Sequence, residues 1–384
     1  MNQFQKSYEL YDYNLIFIRR LADVCGLDIM AKNYTFNFRT LLILILTIVS
    51  TASVLHSYVF YYQNWFRILE TTVLISLIMQ AIVKLYNAYI HRHFYETMYD
   101  RLRDFHYKYR NHKNHEQLLL VMEKIHMVTK AFFASYIVTG CCFFVFPVYV
   151  YLTERRRELL ISIRIPYIDA DSVSGYVVTM CFQSSLLVTF VIGFTAADSV
   201  ILLFVCSLIA IVDVFTYDLR ELTAMLNETY PNRFAIRKRM RQLFMQQLEI
   251  IEYESDLDER YFVSYFIQIL SGVMGITITL FLIYKANYVQ GCALLLSLFG
   301  QLLEMCLLGT IFSIKNEEIT EAFYGMDWYL MDILEQKCIA LMLHKSQHFV
   351  QMTVGGLRPL NMETFIVIIK SIYTYLMMLI TVFK

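Results

Sequence analysis

Four residues near the end of the chain, Lys370, Thr374, Met378 and Thr381, recur at intervals of four, four and three within an apolar run. That spacing sets them on one face of an α-helix. An ammonium, two hydroxyls and a thioether in a row do not make a catalytic centre. On a helix that crosses a bilayer they can border water instead, because hydrophobic constrictions gate by dewetting and polar flanks hold the water of permeant ions. Met378 and Thr381 would then stand near an outer constriction. The same row equally suits packing between helices, with the threonine hydroxyls bonded across the contact. Glu70, Lys84, Gln301 and Glu304 also interrupt apolar runs. Polar groups at membrane depth pair with one another or meet an ion or ligand, and Glu70 is near enough to a run's end to snorkel.

Nothing else points to catalysis. The chain has no Gly-rich phosphate loop, His-Glu-x-x-His or Gly-x-Ser-x-Gly, so we expect no enzyme. His91/His93 and His112/His115 sit in a charged segment and read as a solvated face rather than a metal site. The eight cysteines lie mostly in apolar runs without paired spacing and read as small buried hydrophobes. No cofactor and no metal are expected. Zero formal net charge argues against nucleic acid as a partner.

A second set of residues could hold a small molecule. Val73 and Ser76, Thr139, Cys142, Phe143 and Phe146, Phe182 and Leu186, and Leu280, Tyr284 and Tyr288 fall in the outer halves of successive apolar segments. Aromatic and sulfur-bearing side chains with few polar groups suit a pocket for a small apolar ligand. The same composition serves as ordinary bundle core.

The elements that must carry these residues follow from hydropathy. The 384-residue chain is 58% hydrophobic, above the ~45–50% of soluble domains, and only 4 prolines and 12 glycines punctuate it. It predicts an all-α protein, one integrated domain over 1–384, with seven spans near 41–62, 66–85, 131–151, 176–198, 262–284, 289–314 and 364–382. The lipid bilayer is therefore a partner. No early apolar core or cleavage site marks a signal peptide. Tyr13–Cys25 reads as an amphipathic interfacial helix. The segment 176–215 is too long for one span and too short of breaks for two; a single helix running into a cytosolic extension to about 226 keeps the basic residues of 216–260 on the favoured side. With the N-terminus inside, the four cytosolic stretches hold five, eight, seven and four of the 33 lysines and arginines. That bias predicts a cytosolic N-terminus and an extracellular C-terminus. The apolar run Val200–Phe215 must then be buried in protein below the membrane, in a helical bundle that subunits share. Before the last span, Gly355-Gly356 and Pro359 predict a turn, and Asn361 an N-cap with Glu363 behind it.

Over the C-terminal third, Tyr324, Trp328, Lys337, Ser346-Gln347, Gly355-Gly356, Pro359-Leu-Asn361, Thr364-Phe365 and Tyr373-x-Tyr375 resemble, in order and spacing, the insect odorant receptors. The length is similar to a ligand-selective tuning subunit rather than the olfactory co-receptor (Orco). The resemblance implies a ligand-gated cation channel, a heterotetramer with the co-receptor, in the plasma membrane of olfactory sensory neurons. It implies a small apolar or aromatic volatile odorant in the outer halves of spans 2–6, and a pore lined by span 7 that passes cations. It also implies a subunit anchor built from the cytosolic extensions of spans 4–7. By the family pattern, Met378 falls at a hydrophobic gate, and Thr381 where the co-receptor has Gln. Gustatory receptors end similarly. A G-protein-coupled receptor would also have seven spans, but Asp-Arg-Tyr and Asn-Pro-x-x-Tyr are absent; glycosylation at the Asn33 sequon would favour it. A secondary transporter would show inverted repeats with broken helices, and none is visible.

Overall fold

The computed structural model describes residues 3–27, 37–109, 115–155, 157–230, 232–286 and 288–383. The Asn33-Tyr-Thr35 sequon, His112 and Lys384 lie outside the described residues. The helices are α1 Gln3–Val24, α2 Phe38–Phe60, α3 Trp65–Ile90, α4 Arg92–Lys108, α5 His115–Glu154, α6 Val173–Leu226, α7 Arg233–Ala286, α8 Gln290–Tyr324, α9 Ile333–Gln347 and α10 Met362–Val382. A hairpin of β1 Thr353–Val354 and β2 Arg358–Pro359 is the sole sheet among the described residues. The seven helices α2, α3, α5, α6, α7, α8 and α10 are long and apolar enough to cross a membrane, as the hydropathy predicts. One end of the bundle, the rim, carries the α2–α3, α5–α6 and α7–α8 connections and the tip of α10. The other end continues as a stalk.

Helix length dictates the stalk. α6 and α7 have 54 residues each, about 80 Å at 1.5 Å per residue, against a ~30 Å hydrocarbon core. The segment 176–215 is indeed one helix. Below the span, the run Val200–Val212 is apolar on nearly every face, and such a helix must be enclosed. Leu203, Leu208, Val212 and Phe215 are fully buried. The enclosure comes from this chain's own elements: Tyr95 of α4 stacks on Phe204 and Phe94 meets it edge-on, and Phe323 of α8 meets Phe215. Tyr253 of α7 donates to the Phe204 carbonyl at 3.1 Å. A neighbouring subunit is not needed to cover this run.

α1 differs from the interfacial helix expected. Its apolar face, Tyr11, Leu15 and Ile18, is buried in the stalk against α5 and α6. An apolar stripe fits a lipid surface and a protein groove equally well, and here the unpaired flank of the stalk takes it.

A strap joins stalk to α10. Asp258 of α7 accepts from the Thr353 backbone N–H (2.8 Å) and hydroxyl (2.9 Å), and the Gly355 N–H donates to the Phe262 carbonyl (3.1 Å). Gly355 and Gly356 take positive φ (62° and 70°), which glycine adopts without Cβ strain. On α8, a Cβ at Gly309 would come within 1.9 Å of the Leu360 carbonyl oxygen, and Thr310 Oγ1 accepts from the Met362 N–H at 2.9 Å. Asn361 then caps α10, accepting from the Thr364 N–H at 2.9 Å.

Two predictions follow from this frame. G309A collides with backbone rather than a side chain, so the strap must lift; hydrogen exchange should accelerate over 352–362 and leave the 200–215 amides unchanged. Glu254, buried in the stalk beside Asn316 and the Val350 backbone, has its carboxyl pushed up by burial to about 8. A raised acid favours folding fully below its unfolded value of 4.5 and loses that contribution as pH rises through about 8. Thermal stability should fall between pH 5 and 9 in the native chain, and E254Q should flatten that slope.

Candidate functional site: a roofed cavity and an uncovered helix face

A cavity of ≈ 60 Å³ lies between α3, α5, α6 and α8 in the rim half of the bundle. Leu74 and Leu77, Thr139 and Phe143, Leu187, Phe190 and Phe194, and Leu294, Ser297 and Leu298 form its walls. Polar atoms are few and mostly satisfied: Thr139 and Ser297 share a 2.7 Å bond, and Thr139 also reaches the Ala293 carbonyl at 3.1 Å. An apolar space with a few placed hydroxyls binds small, weakly polar molecules.

The roof is the α5–α6 connection. Leu160, Ile161, Ser162 and Ile163 are buried, and Ile161 lines the cavity. Gln183 of α6, fully buried, grips this stretch: its Nε2 donates to the Ile161 (2.8 Å) and Ile163 (2.9 Å) carbonyls, and its Oε1 accepts from the Ile161 N–H (3.2 Å). Arg67 joins Glu70 and Glu158, each at 3.2 Å, and donates to Ser162 Oγ at 2.7 Å. Ser162 in turn bonds Glu70. Glu70 is therefore satisfied by the roof rather than snorkelling.

The floor is a buried polar network. Lys84 pairs with Asp198, whose other oxygen accepts from Tyr136 (2.6 Å) and Gln301 (2.9 Å). Lys84 also lies 4.6 Å from the Phe194 ring centroid. Tyr136 and Gln301 face the cavity, so the network sets the position of its floor.

Of the residues chosen from sequence, Thr139 and Phe143 line this cavity. Val73 and Leu186 are buried one position away from the lining Leu74 and Leu187. Ser76 faces α7, where a Cβ on Gly275 would meet its Oγ at 2.8 Å. Cys142, Phe146, Phe182 and Leu280 are half-buried outside the lining. Tyr288 packs on Gly291, and Tyr284 is exposed. Lys84 and Gln301, two of the polar residues that interrupt apolar runs in the sequence, both belong to the floor. No group of three or more His, Cys, Asp or Glu side chains that could hold a metal occurs among the described residues.

α10 packs on α7 and α8 through Thr364, Ile368 and Ile372, its only buried residues. Lys370, Thr374, Met378 and Thr381 are all exposed; Lys370 stands about 200° around the helix from Ile368 at ~100° per residue. Thr374 and Thr381 donate to the carbonyls of Lys370 (2.9 Å) and Met377 (2.8 Å) in their own helix. The tip is held by Phe383 against Trp65 and Phe281, at 5.5 and 5.6 Å between ring centroids.

Seven helices fit to cross a membrane, four of them walling a roofed cavity and one largely bare, define a multi-pass membrane protein with a receptor-like bundle. The family model described as 7tm Odorant receptor matches residues 64–373, and the chain belongs to that family. It is 19% identical to the putative odorant receptor 83c of Drosophila melanogaster over 94% of this chain and 95% of that one. Its fold matches the insect olfactory receptor OR5 of Machilis hrabei, solved with eugenol (TM-score 0.76) and without it (0.77). Both are 12% identical and cover 97% of this chain and 99% of theirs. Membership decides for an odorant receptor over the gustatory and G-protein-coupled alternatives.

The network yields a measurable coupling. D198N removes the carboxylate in direct contact with the largely buried Lys84 ammonium, which should cost about 3–5 kcal/mol. The neutral pair K84M/D198N should recover most of it; thermal unfolding in lipid nanodiscs, run as a double-mutant cycle, reads both.

Proposed function

We propose that the chain is the ligand-selective subunit of an odorant-gated cation channel in olfactory sensory neurons, assembled with the olfactory co-receptor in a heterotetramer. The rim faces the exterior and the stalk the cytosol, as the lysine and arginine bias favours. A small apolar or aromatic volatile occupies the roofed cavity. The observation that carries this reading is the position of Lys370, Thr374, Met378 and Thr381: they occupy the face of α10 away from its own chain, where neighbouring subunits would enclose a water path with Met378 as its constriction.

The cavity supports a gating route. At ≈ 60 Å³ it is tighter than the ~300 Å³ lower bound of typical ligand pockets, so a ligand must widen it and thereby favours whichever state is wider. That difference in affinity is all a ligand can spend on opening. Leu294, Ser297, Leu298 and Gln301 of α8 take the displacement. Eight residues further on, about 12 Å along the same helix, Gly309 and Thr310 hold the start of α10. Moving α8 with α7 draws α10 outward and dilates the ring at Met378. Eugenol, held by the Machilis receptor of the same fold, is a small aromatic volatile and starts the ligand panel.

Expression with the co-receptor should give odorant-evoked cation currents that neither chain gives to the same ligand alone. F143W, which fills the cavity, should raise the half-maximal concentration by at least roughly tenfold, equivalent to about 1.4 kcal/mol, with maximal current preserved. M378T should raise ligand-free current. Normal currents in Met378 and Thr381 variants would count against the pore; normal sensitivity in F143W would count against the cavity.

A further inference from the structure

A second cavity, of ≈ 100 Å³, lies behind the Phe190–Phe194 wall of the first, bounded by α1, α2, α3 and α6. It exists because small residues meet there, with Ala22, Ala81, Ala88, Gly193 and Ala197 on its lining. Its volume is of the order of the ~150 Å³ apolar cavity known to take up benzene. It also opens sideways. A groove between α2 and α3 shares Leu27, Thr47 and Leu85 with it. The α2 residues Leu44, Ile48 and Leu55 on that groove are exposed, on a helix apolar enough to sit in lipid.

Its lining carries two hydroxyls and two cations, Thr47 and Thr189, Arg19 and Lys84; Arg19 lies over the Tyr99 ring, 5.7 Å from its centroid. Thr47 and Thr189 donate to the Ile43 and Ser185 carbonyls of their own helices. Lys84 is different. Its ammonium carries three donors, and among the described residues its hydrogen-bond acceptor is Asp198 alone, with the Phe194 ring beside it. At least one N–H is thus left without an acceptor next to an apolar space, where leaving it unmade is costly. Lys84 already faces two carboxyl groups, Asp198 in direct contact and Glu304 close enough to interact with both, so a carboxylate or phosphate ligand would meet two acids there.

We propose that this cavity is a second ligand site, reached from the bilayer through the α2–α3 groove, for a small uncharged molecule with a compact apolar body and one hydrogen-bond acceptor placed at Lys84 Nζ. A medium-chain alcohol has this chemistry. Occupancy bears on the first cavity twice over, through Phe190 and Phe194, which line both, and through Asp198, which holds Tyr136 and Gln301.

Photolabelling of the full chain in phosphatidylcholine nanodiscs with a diazirine-bearing octanol tests this without recourse to gating, so a failure of the channel reading leaves the result standing. Saturable label should map to 81–88 and 193–200, and 1-octanol should displace it at several-fold lower concentration than n-octane. G193L should cut labelling at least fivefold, since Cys25 Sγ lies only 3.8 Å from a Cβ placed there and a larger side chain must enter the cavity. A197L, from the same lining, does the same job if G193L does not fold. K84M/D198N should keep the label and abolish the preference for octanol over octane. Label confined to the first cavity, unsaturable label spread over the lipid-facing helices, undiminished label in a folded cavity-filling variant, or an octanol preference that survives loss of Lys84 would each overturn the proposal.

Discussion

A helix that is apolar on nearly every side and longer than a bilayer is thick must be enclosed twice, once by the bundle and once by protein beyond it. α6 sets that requirement, and the stalk is the answer. α1, α4 and the lower parts of α5, α7 and α8 gather round Val200–Phe215. In the assembly that results α7 and α8 pack side by side. Those two helices in turn fix the strap through Asp258, Phe262, Gly309 and Thr310. α10 therefore starts from a defined point even though little of its length is packed.

At the other end, close packing gives way to polar contacts. The roof over the first cavity is held by hydrogen bonds and ion pairs from Gln183, Arg67 and Glu70 rather than by a regular element. The floor is one buried ion pair with two neutral partners. Such networks are costly when broken and sharp in geometry when intact. Between roof and floor the walls are aliphatic and aromatic. A closely packed stalk below and a cavity roofed by an irregular connection above is the arrangement on which the proposed displacement of α8 rests.

Much of this was legible in the chain. Span number follows from length and hydropathy, the single long α6 from its unbroken apolar run, and the α10 start from Gly355-Gly356, Pro359 and Asn361. The polar row on α10 was readable because polar residues mark a phase on an otherwise apolar helix. The cavity was harder for the same reason in reverse. In their rim halves α3 and α6 carry apolar residues on every face and give little phase signal, so the sequence points to Val73 and Leu186 while Leu74 and Leu187 face the space, a difference of one residue or about 100°. The Lys84–Asp198 pair spans 114 positions, and the grip of Gln183 on 161–163 joins a helix to an irregular loop. Neither has a local sequence signature. α1 shows the opposite ambiguity, since one apolar stripe serves lipid or protein.

The claim everything rests on is that the exposed row of α10 borders water in the assembled channel. Cysteine placed singly at Thr374, Met378, Thr381, Ile368 and Ile372, with a water-soluble methanethiosulfonate applied during odorant-evoked current, tests it directly. Reaction and current block at 374, 378 and 381, faster in the open state and absent at 368 and 372, is the predicted result. Block at Ile368 and Ile372 with an inert row, or no block at any of the five, would contradict it.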